Sequence, residues 1–287
     1  MRATASILSD GQRLHLQHGP SDLIVWAEGA RDQAYRAAAK RFETIIAEIA
    51  SELAQLREML HLQSERPRGS VAQRMHDACL PYSADVQVTR MAAVAGGVAD
   101  EILEAMTRNA NVSRAYVNNG GDIAFCLTPG TSFTTAIKGH DGQDLGRIQC
   151  SSEDGVGGMA TSGRHGRSLS LGIADSVTVL ARSAAQADVA ATLIANAVDL
   201  PDHPAVTRRA ACDVHDQSDL GDLPVTVGCG DLSAKECKRA LGAGRAWAEA
   251  VETDGLISSA ALFLQGYSTV TGNHFQTSPK EQQYVQA

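Results

Sequence analysis

Three segments concentrate the residue types that can do chemistry. The first, Val117-Asn118-Asn119-Gly120-Gly121-Asp122-Ile123, sets an asparagine pair, two glycines and a carboxylate between apolar runs. Asn-Gly between alternating hydrophobics is a hairpin signal that would make Asp122 a turn carboxylate, while bare glycine backbone also admits a ligand. The second, residues 157–168, mixes glycines with Thr161, Ser162, Arg164, His165, Arg167 and Ser168. Backbone N–H, hydroxyl and guanidinium groups all bind phosphate oxygens; a solvated loop with incidental arginines is the competing reading. The third begins at Ser183, which with Gln186 makes a capping box and starts a helix carrying Asp188 and Thr192 four residues apart on one face. A carboxylate and a hydroxyl there offer magnesium two hard oxygen ligands, the remainder of its shell being water and phosphate. The plainer alternative has Asp188 complementing the helix dipole and Thr192 bonding back to carbonyl 188.

The elements that position these segments follow from periodicity. Residues 13–19 and 22–29 alternate as two strands around the turn Gly19-Pro20-Ser21-Asp22. Residues 32–60 carry Phe42, Ile45, Ile46, Ile49, Leu53, Leu56 and Leu60 at spacings of three and four, the stripe of one long helix. Residues 63–70 read as a loop, and 89–107 as a helix whose first half, MAAVAGGVA, is nearly all small. Gly96-Gly97 would cost such a helix roughly 1 kcal/mol per glycine, which close approach of another element or a ligand would offset. Strands are expected at 115–118, 123–127, 133–138 and 145–149 as a meander, then a strand at 176–180 and a helix at 183–197. A short strand at 225–227, a helix near 232–241 and an apolar run at 256–264 complete the chain. No low-complexity linker or internal repeat divides it, so the expectation is a single domain over 1–287, an α/β (α+β layered) fold of mainly antiparallel sheet covered by helices.

With 44% hydrophobic but only 4% aromatic residues, the core must be built from aliphatic side chains and alanine. A formal net charge of −8 disfavours nucleic acid or an anionic membrane as the main partner, since both need a concentrated positive field. The N-terminal MRATASILSDGQ carries no apolar run of signal-peptide length, and nothing later approaches the roughly 18 apolar residues of a spanning helix, so the expected location is the cytoplasm. The 6 cysteines show neither a CxxC pair nor zinc spacing and read as free thiols. His203 and His215 fall in polar stretches and read as loop residues.

Taken in order, Gly120-Gly121-Asp122-Ile123, Ala160-Thr161-Ser162-Gly163, then Val177-Thr178-Val179-Leu180-Ala181 leading into Ala187-Asp188-x-x-x-Thr192 resemble the ApbE family of FAD:protein FMN transferases over roughly residues 91–199. The chain is more similar still, over nearly its whole length, to an uncharacterised bacterial and archaeal offshoot in which AYVNNGGDIA, GRSLSLGIADSVTVLA and ADVAATLIANAVDL recur. The resemblance implies an ApbE-like fold and an FAD (or FMN) site lined by Asn119, Gly120, Gly121, Asp122, Thr161, Ser162, Gly163 and Arg164. It further implies a magnesium ion held by Asp188, Thr192 and the Ala95 carbonyl, and a protein as flavin acceptor. Two departures stand against transfer. The small-residue helix reads Ala93-Val94-Ala95-Gly96-Gly97, without the lysine of AIAKG, and LSLGIADS lacks the histidine of H-x-I-D-P-x-x-G. The resemblance leaves Asp175 as a candidate remnant of that motif, with His165 and Arg167 as candidate substitutes for its catalytic groups. A relative that lost transfer would be a flavin binder or an accessory protein, and some relatives of the offshoot are associated with sulfur assimilation.

Overall fold

The computed structural model describes residues 2–216 and 218–277, so the ends of the expected domain lie outside the described residues. Strands β1 (Thr4–Ile7), β2 (Leu14–His18) and β3 (Ser21–Gly29) come first, followed by helices α1 (Arg31–Ser51), α2 (Leu53–Arg57), α3 (Ser70–Cys79) and α4 (Val94–Thr107). Next are β4 (Val112–Asn119), β5 (Asp122–Leu127), β6 (Ser132–Lys138), β7 (Asp144–Ser151), β8 (Gly158–Ser162), β9 (Ser176–Ala181) and α5 (Ala184–Ala197). The chain continues through β10 (Val206–Ala210), α6 (Ala211–Val214), β11 (Pro224–Cys229), α7 (Ala234–Thr253), β12 (Ser259–Leu264), β13 (Tyr267–Thr271) and β14 (Phe275–Thr277). Two compact units emerge: Met1–Ser132 with Ser151–Ala160 and Ala181–Val189, and Phe133–Cys150 with Thr161–Leu180 and Ala190–Ala287.

In the first unit the strands run in the order β1-β2-β3-β4-β5-β8, each pair antiparallel. Alternation along β2, β3 and β4 turns Leu16, Leu23, Val25, Ala27, Ala115 and Val117 onto one fully buried face, and α1 and α4 pack on these strands. The helix expected over 32–60 is interrupted at Glu52 (φ −114°, ψ 9°). Its carboxylate there accepts the N–H groups of Arg68 (2.7 Å) and Gly69 (2.8 Å), where α3 begins. The apolar stripe carries on through Leu56 and Leu60, which is why periodicity alone joined the pieces.

The second unit pairs β9, β12 and β13 antiparallel, and every residue of β9 and β12 is buried. Strands β14, β7 and β6 form a separate sheet, and β10 pairs with β11. The meander expected over 115–149 therefore stops after β5. Ile137 is the one buried residue of β6, too little apolar surface to extend a core sheet.

Glycine at 96 is dictated by packing. A Cβ there would stand 2.3 Å from the Ala184 carbonyl oxygen, and one at Gly158 would stand 2.1 Å from the Ala184 nitrogen. The start of α5 thus lies against bare backbone of α4 and β8. Gly121 has nothing within 4 Å of the same position, and only its φ of +114° resists a side chain. Gly96→Ala should destabilise by about 3 kcal/mol or more, and Gly121→Ala by about 1–2 kcal/mol. Urea unfolding of both variants measures the contrast; similar losses would contradict the packing argument.

Candidate functional site

Two helix starts in the first unit exchange carboxylates. Asp100, on α4, accepts the N–H groups of Ala184 (Oδ1, 2.9 Å) and Ala185 (Oδ2, 2.9 Å), the opening residues of α5. Asp188, on α5, accepts the N–H of Gly96 in the first turn of α4 at 3.0 Å. The first N–H groups of a helix have no intrahelical partner, so each helix supplies the cap its neighbour lacks. The capping box expected from Ser183 and Gln186 supplies one bond, Gln186 N–H to Ser183 Oγ at 3.3 Å, and Asp100 completes the cap.

Asn119, the last residue of β4, donates Nδ2 to the Ala95 carbonyl at 3.1 Å. Gly120 and Gly121, both at positive φ, form the two-residue turn into Asp122, and Asn118 Oδ1 accepts the Gly121 N–H at 2.8 Å. This is the hairpin geometry Asn-Gly announces. It also brings the charge of Asp122 to bear on Asp188. Burial, then Asp122, push the Asp188 carboxyl well above the ordinary range, against the pull of the Gly96 and Ala95 N–H groups. Burial raises Asp100 as well, opposed by the two N–H groups it caps.

In the second unit Thr161 and Thr178 share a hydrogen bond of 2.9 Å across β8 and β9, and Thr192 Oγ1 lies 3.5 Å from Ser162 Oγ rather than bonding back along its own helix. Gly163 (φ +151°) passes the Asp175 carbonyl so closely that a Cβ would stand 2.6 Å from its oxygen. Arg164 grips Asp175 Oδ1 through Nε (2.9 Å) and Nη2 (2.7 Å), His165 Nε2 lies 3.3 Å from the same oxygen, and Oδ2 accepts the Gln265 N–H. His165 also stacks on His140, with ring centroids 3.7 Å apart and planes 11° from parallel. Burial, then Arg164 and His140, hold the His165 imidazole below its usual range. Arg167 is exposed and is not drawn into this cluster.

A family model described as "AbpE bacteria" matches residues 5–271, a span that runs through both units. The chain belongs to this family. Among curated relatives, the "UPF0280 protein" of Methanococcus vannielii is 40% identical over 126 residues, covering 42% of this chain and 50% of the relative. The corresponding protein of Methanopyrus kandleri is 36% identical over 141 residues, 49% of this chain and 54% of the relative. The chain thus spans about half the length of the curated relatives it matches. Of solved structures, the ApbE protein of Thermotoga maritima aligns at TM-score 0.48 and 13% identity over 93% of this chain and 97% of its own. The flavin transferase ApbE of Vibrio cholerae aligns at TM-score 0.45 and 13% identity over 96% and 97%.

Asp100, Thr178, Gln265 and His140 escaped the sequence reading of this AbpE-family chain. Each acts on a partner far along the chain, Asp100 at separations of 84 and 85 residues, and no local pattern marks such a bond. The pH behaviour of Asp188 has a definite sign. A carboxyl whose folded pKa is raised favours folding while protonated, and that contribution is lost as pH rises from about 3.9 through the raised value. Asp188→Asn keeps an oxygen for Gly96 but cannot ionise. It should be more stable than the parent at pH 7 in chelator, with the gap closing toward pH 3.5. Unfolding curves across that range test it, and a variant less stable at neutral pH would contradict the assignment.

Proposed function

We propose that this protein binds a flavin nucleotide, FAD, with magnesium held at Asp188. Family membership and the likeness of Gly120–Ile123, Ala160–Gly163 and Ala187–Thr192 to FAD:protein FMN transferases supply the flavin. The metal rests on the placement of Asp188, a half-buried carboxyl that accepts the Gly96 N–H at 3.0 Å and is held above its ordinary range by desolvation and by the Asp122 charge. A cation beside it would remove that penalty, so the donors present fit the group. The Ala95 carbonyl, within α4 and accepting Nδ2 of Asn119 at 3.1 Å, stays the third proposed ligand on the family likeness alone. Among the described residues no three His, Cys, Asp or Glu gather at a metal-binding distance. Magnesium tolerates such a sparse set, taking one or two carboxylates and completing its shell with water and phosphate. The bound cation would supply charge neutralisation for a pyrophosphate. Thr192, four residues along α5, remains the proposed hydroxyl ligand, and Asn119–Asp122 with Thr161–Arg164 the proposed flavin contacts.

Binding without transfer is the version the second unit favours. Moving an FMN group to a protein hydroxyl forms a new phosphorus–oxygen bond, expels AMP and needs a base for the hydroxyl proton. Asp175, the remnant of the transferase motif, has both oxygens committed to Arg164 and to the Gln265 N–H. With no lysine at Ala95, neither position offers an uncommitted base.

Titration with FAD should show saturable binding in magnesium that weakens at least tenfold in chelator and tenfold in Asp188→Asn. Binding indifferent to both changes would remove the metal, and absence of binding would remove the flavin. Incubation with FAD, magnesium and candidate acceptor proteins should leave no covalent in-gel flavin fluorescence; a labelled acceptor would restore transfer.

A further inference from the structure

Arg90, in the short 3₁₀ turn Arg90–Ala93 that leads into α4, is only 1% exposed. Its guanidinium makes three hydrogen bonds within the first unit, all to neutral acceptors. Nη1 donates to the Gln55 carbonyl of α2 at 2.8 Å, Nη2 to the Glu65 carbonyl at 3.0 Å, and Nε to Nδ1 of His76 on α3 at 3.1 Å. Gln55 Nε2 donates to the same Glu65 carbonyl at 3.0 Å. One buried cation thus ties α2 and the 63–70 segment to α3.

A guanidinium keeps its protons at every accessible pH, so the Arg90 Nε–H is always a donor and His76 Nδ1 must be bare to accept it. His76 is 4% exposed and sits in the fold as the neutral ring protonated at Nε2. A proton on Nδ1 would face a donor with a donor and set two buried cations side by side. The guanidinium is one rigid plane, so it cannot swing away from His76 and keep both carbonyls.

We propose that the His76–Arg90 pair is a pH-sensitive latch: protonation of the imidazole breaks its bond to Arg90 and releases α2 and the 63–70 segment, while the sheet of the first unit stays folded.

The surrounding charges favour the neutral ring. Burial, then the Arg90 charge, hold the His76 imidazole below its usual range; Asp77, next to it on α3, pulls the other way, and Arg66 of the 63–70 segment adds to the repulsion. Asp77 is itself held by Arg66 through hydrogen bonds of 2.9 and 2.6 Å. The charges that α1 and α4 bring toward α3, Arg41, Glu48, Glu101 and Glu104, are taken up with one another and with Arg74. A ring held neutral in the closed latch and free to charge in the open one favours closure in full above about pH 6.5, and that preference is lost as pH falls below it. Carboxylates in general take up their protons below about pH 5, so the window between pH 7 and pH 5 belongs to imidazoles. His61, the other histidine of this part of the chain, is exposed.

Amide hydrogen exchange at pH 7 and pH 5, expressed as protection so that the intrinsic pH dependence drops out, reads the latch directly. The Leu56 N–H bonds the Glu52 carbonyl at 3.0 Å and the Leu60 N–H the Val88 carbonyl at 2.9 Å. Both should lose about tenfold in protection between the two pH values, while the amides of β3 and β4 keep theirs. His76→Asn, whose Oδ1 stands in for Nδ1 and accepts from Arg90 without titrating, should abolish the pH dependence with His61 still in place. His76→Leu, which offers Arg90 no acceptor, should show low protection at both values. Protection that does not fall in the parent protein, or that falls equally in β3 and β4, would overturn the latch without recourse to any variant. An asparagine variant that loses protection like the parent, or a leucine variant as protected as the parent at pH 7, would overturn it too.

Discussion

The exchange of carboxylates between α4 and α5 is the constraint on which the first unit turns. Neither helix begins with a side chain that satisfies its own opening donors in full, so each depends on an aspartate one or two turns inside the other. That dependence fixes how the two helices meet and requires their backbones to touch, which only glycine at 96 and 158 allows. The small-residue run that looked so poor as a helix is the surface of that contact.

Asp188 is under opposing demands. As a cap it wants to be charged, because an ionised carboxylate is the stronger acceptor. Burial and Asp122 oppose the charge. The stability of the α4 start and the electrostatics of the candidate site therefore reside in one side chain. Sites of this kind tend to trade stability against occupancy. Asp100 shares the burial without sitting beside Asp122's charge to the same effect, and its two N–H partners give it a structural part alone.

Local signals made much of this legible. Alternation placed β2 through β5, helical spacing placed α1, and Asn-Gly placed the turn at Gly120-Gly121. The family likeness carried by Asn118–Asp122 and by the segment around Asp188 was legible for the same reason, since it resides in contiguous motifs. What escaped was decided at a distance. The apolar stripe ran straight past Glu52, because the break there answers to the backbone of Arg68 and Gly69. The loop expected over 63–70 is there up to Gly69, but no local pattern was read over 71–88, and α3, whose buried residues gain their partners from α4, was missed. β6 and β7 were assigned to the wrong sheet because their neighbour, β14, lies more than a hundred residues on.

The hydrogen bond from Gly96 to Asp188 carries one more consequence. Its proton lies between a helix start and a carboxylate whose charge depends on pH and on any cation beside it. Withdrawing electron density from Asp188 weakens its hold on that proton, and restoring the density tightens it. The chemical shift and solvent exchange of a single backbone amide therefore report the state of the carboxylate without a label or a probe, and Gly96, with no side chain of its own, gives that signal little to be confused with.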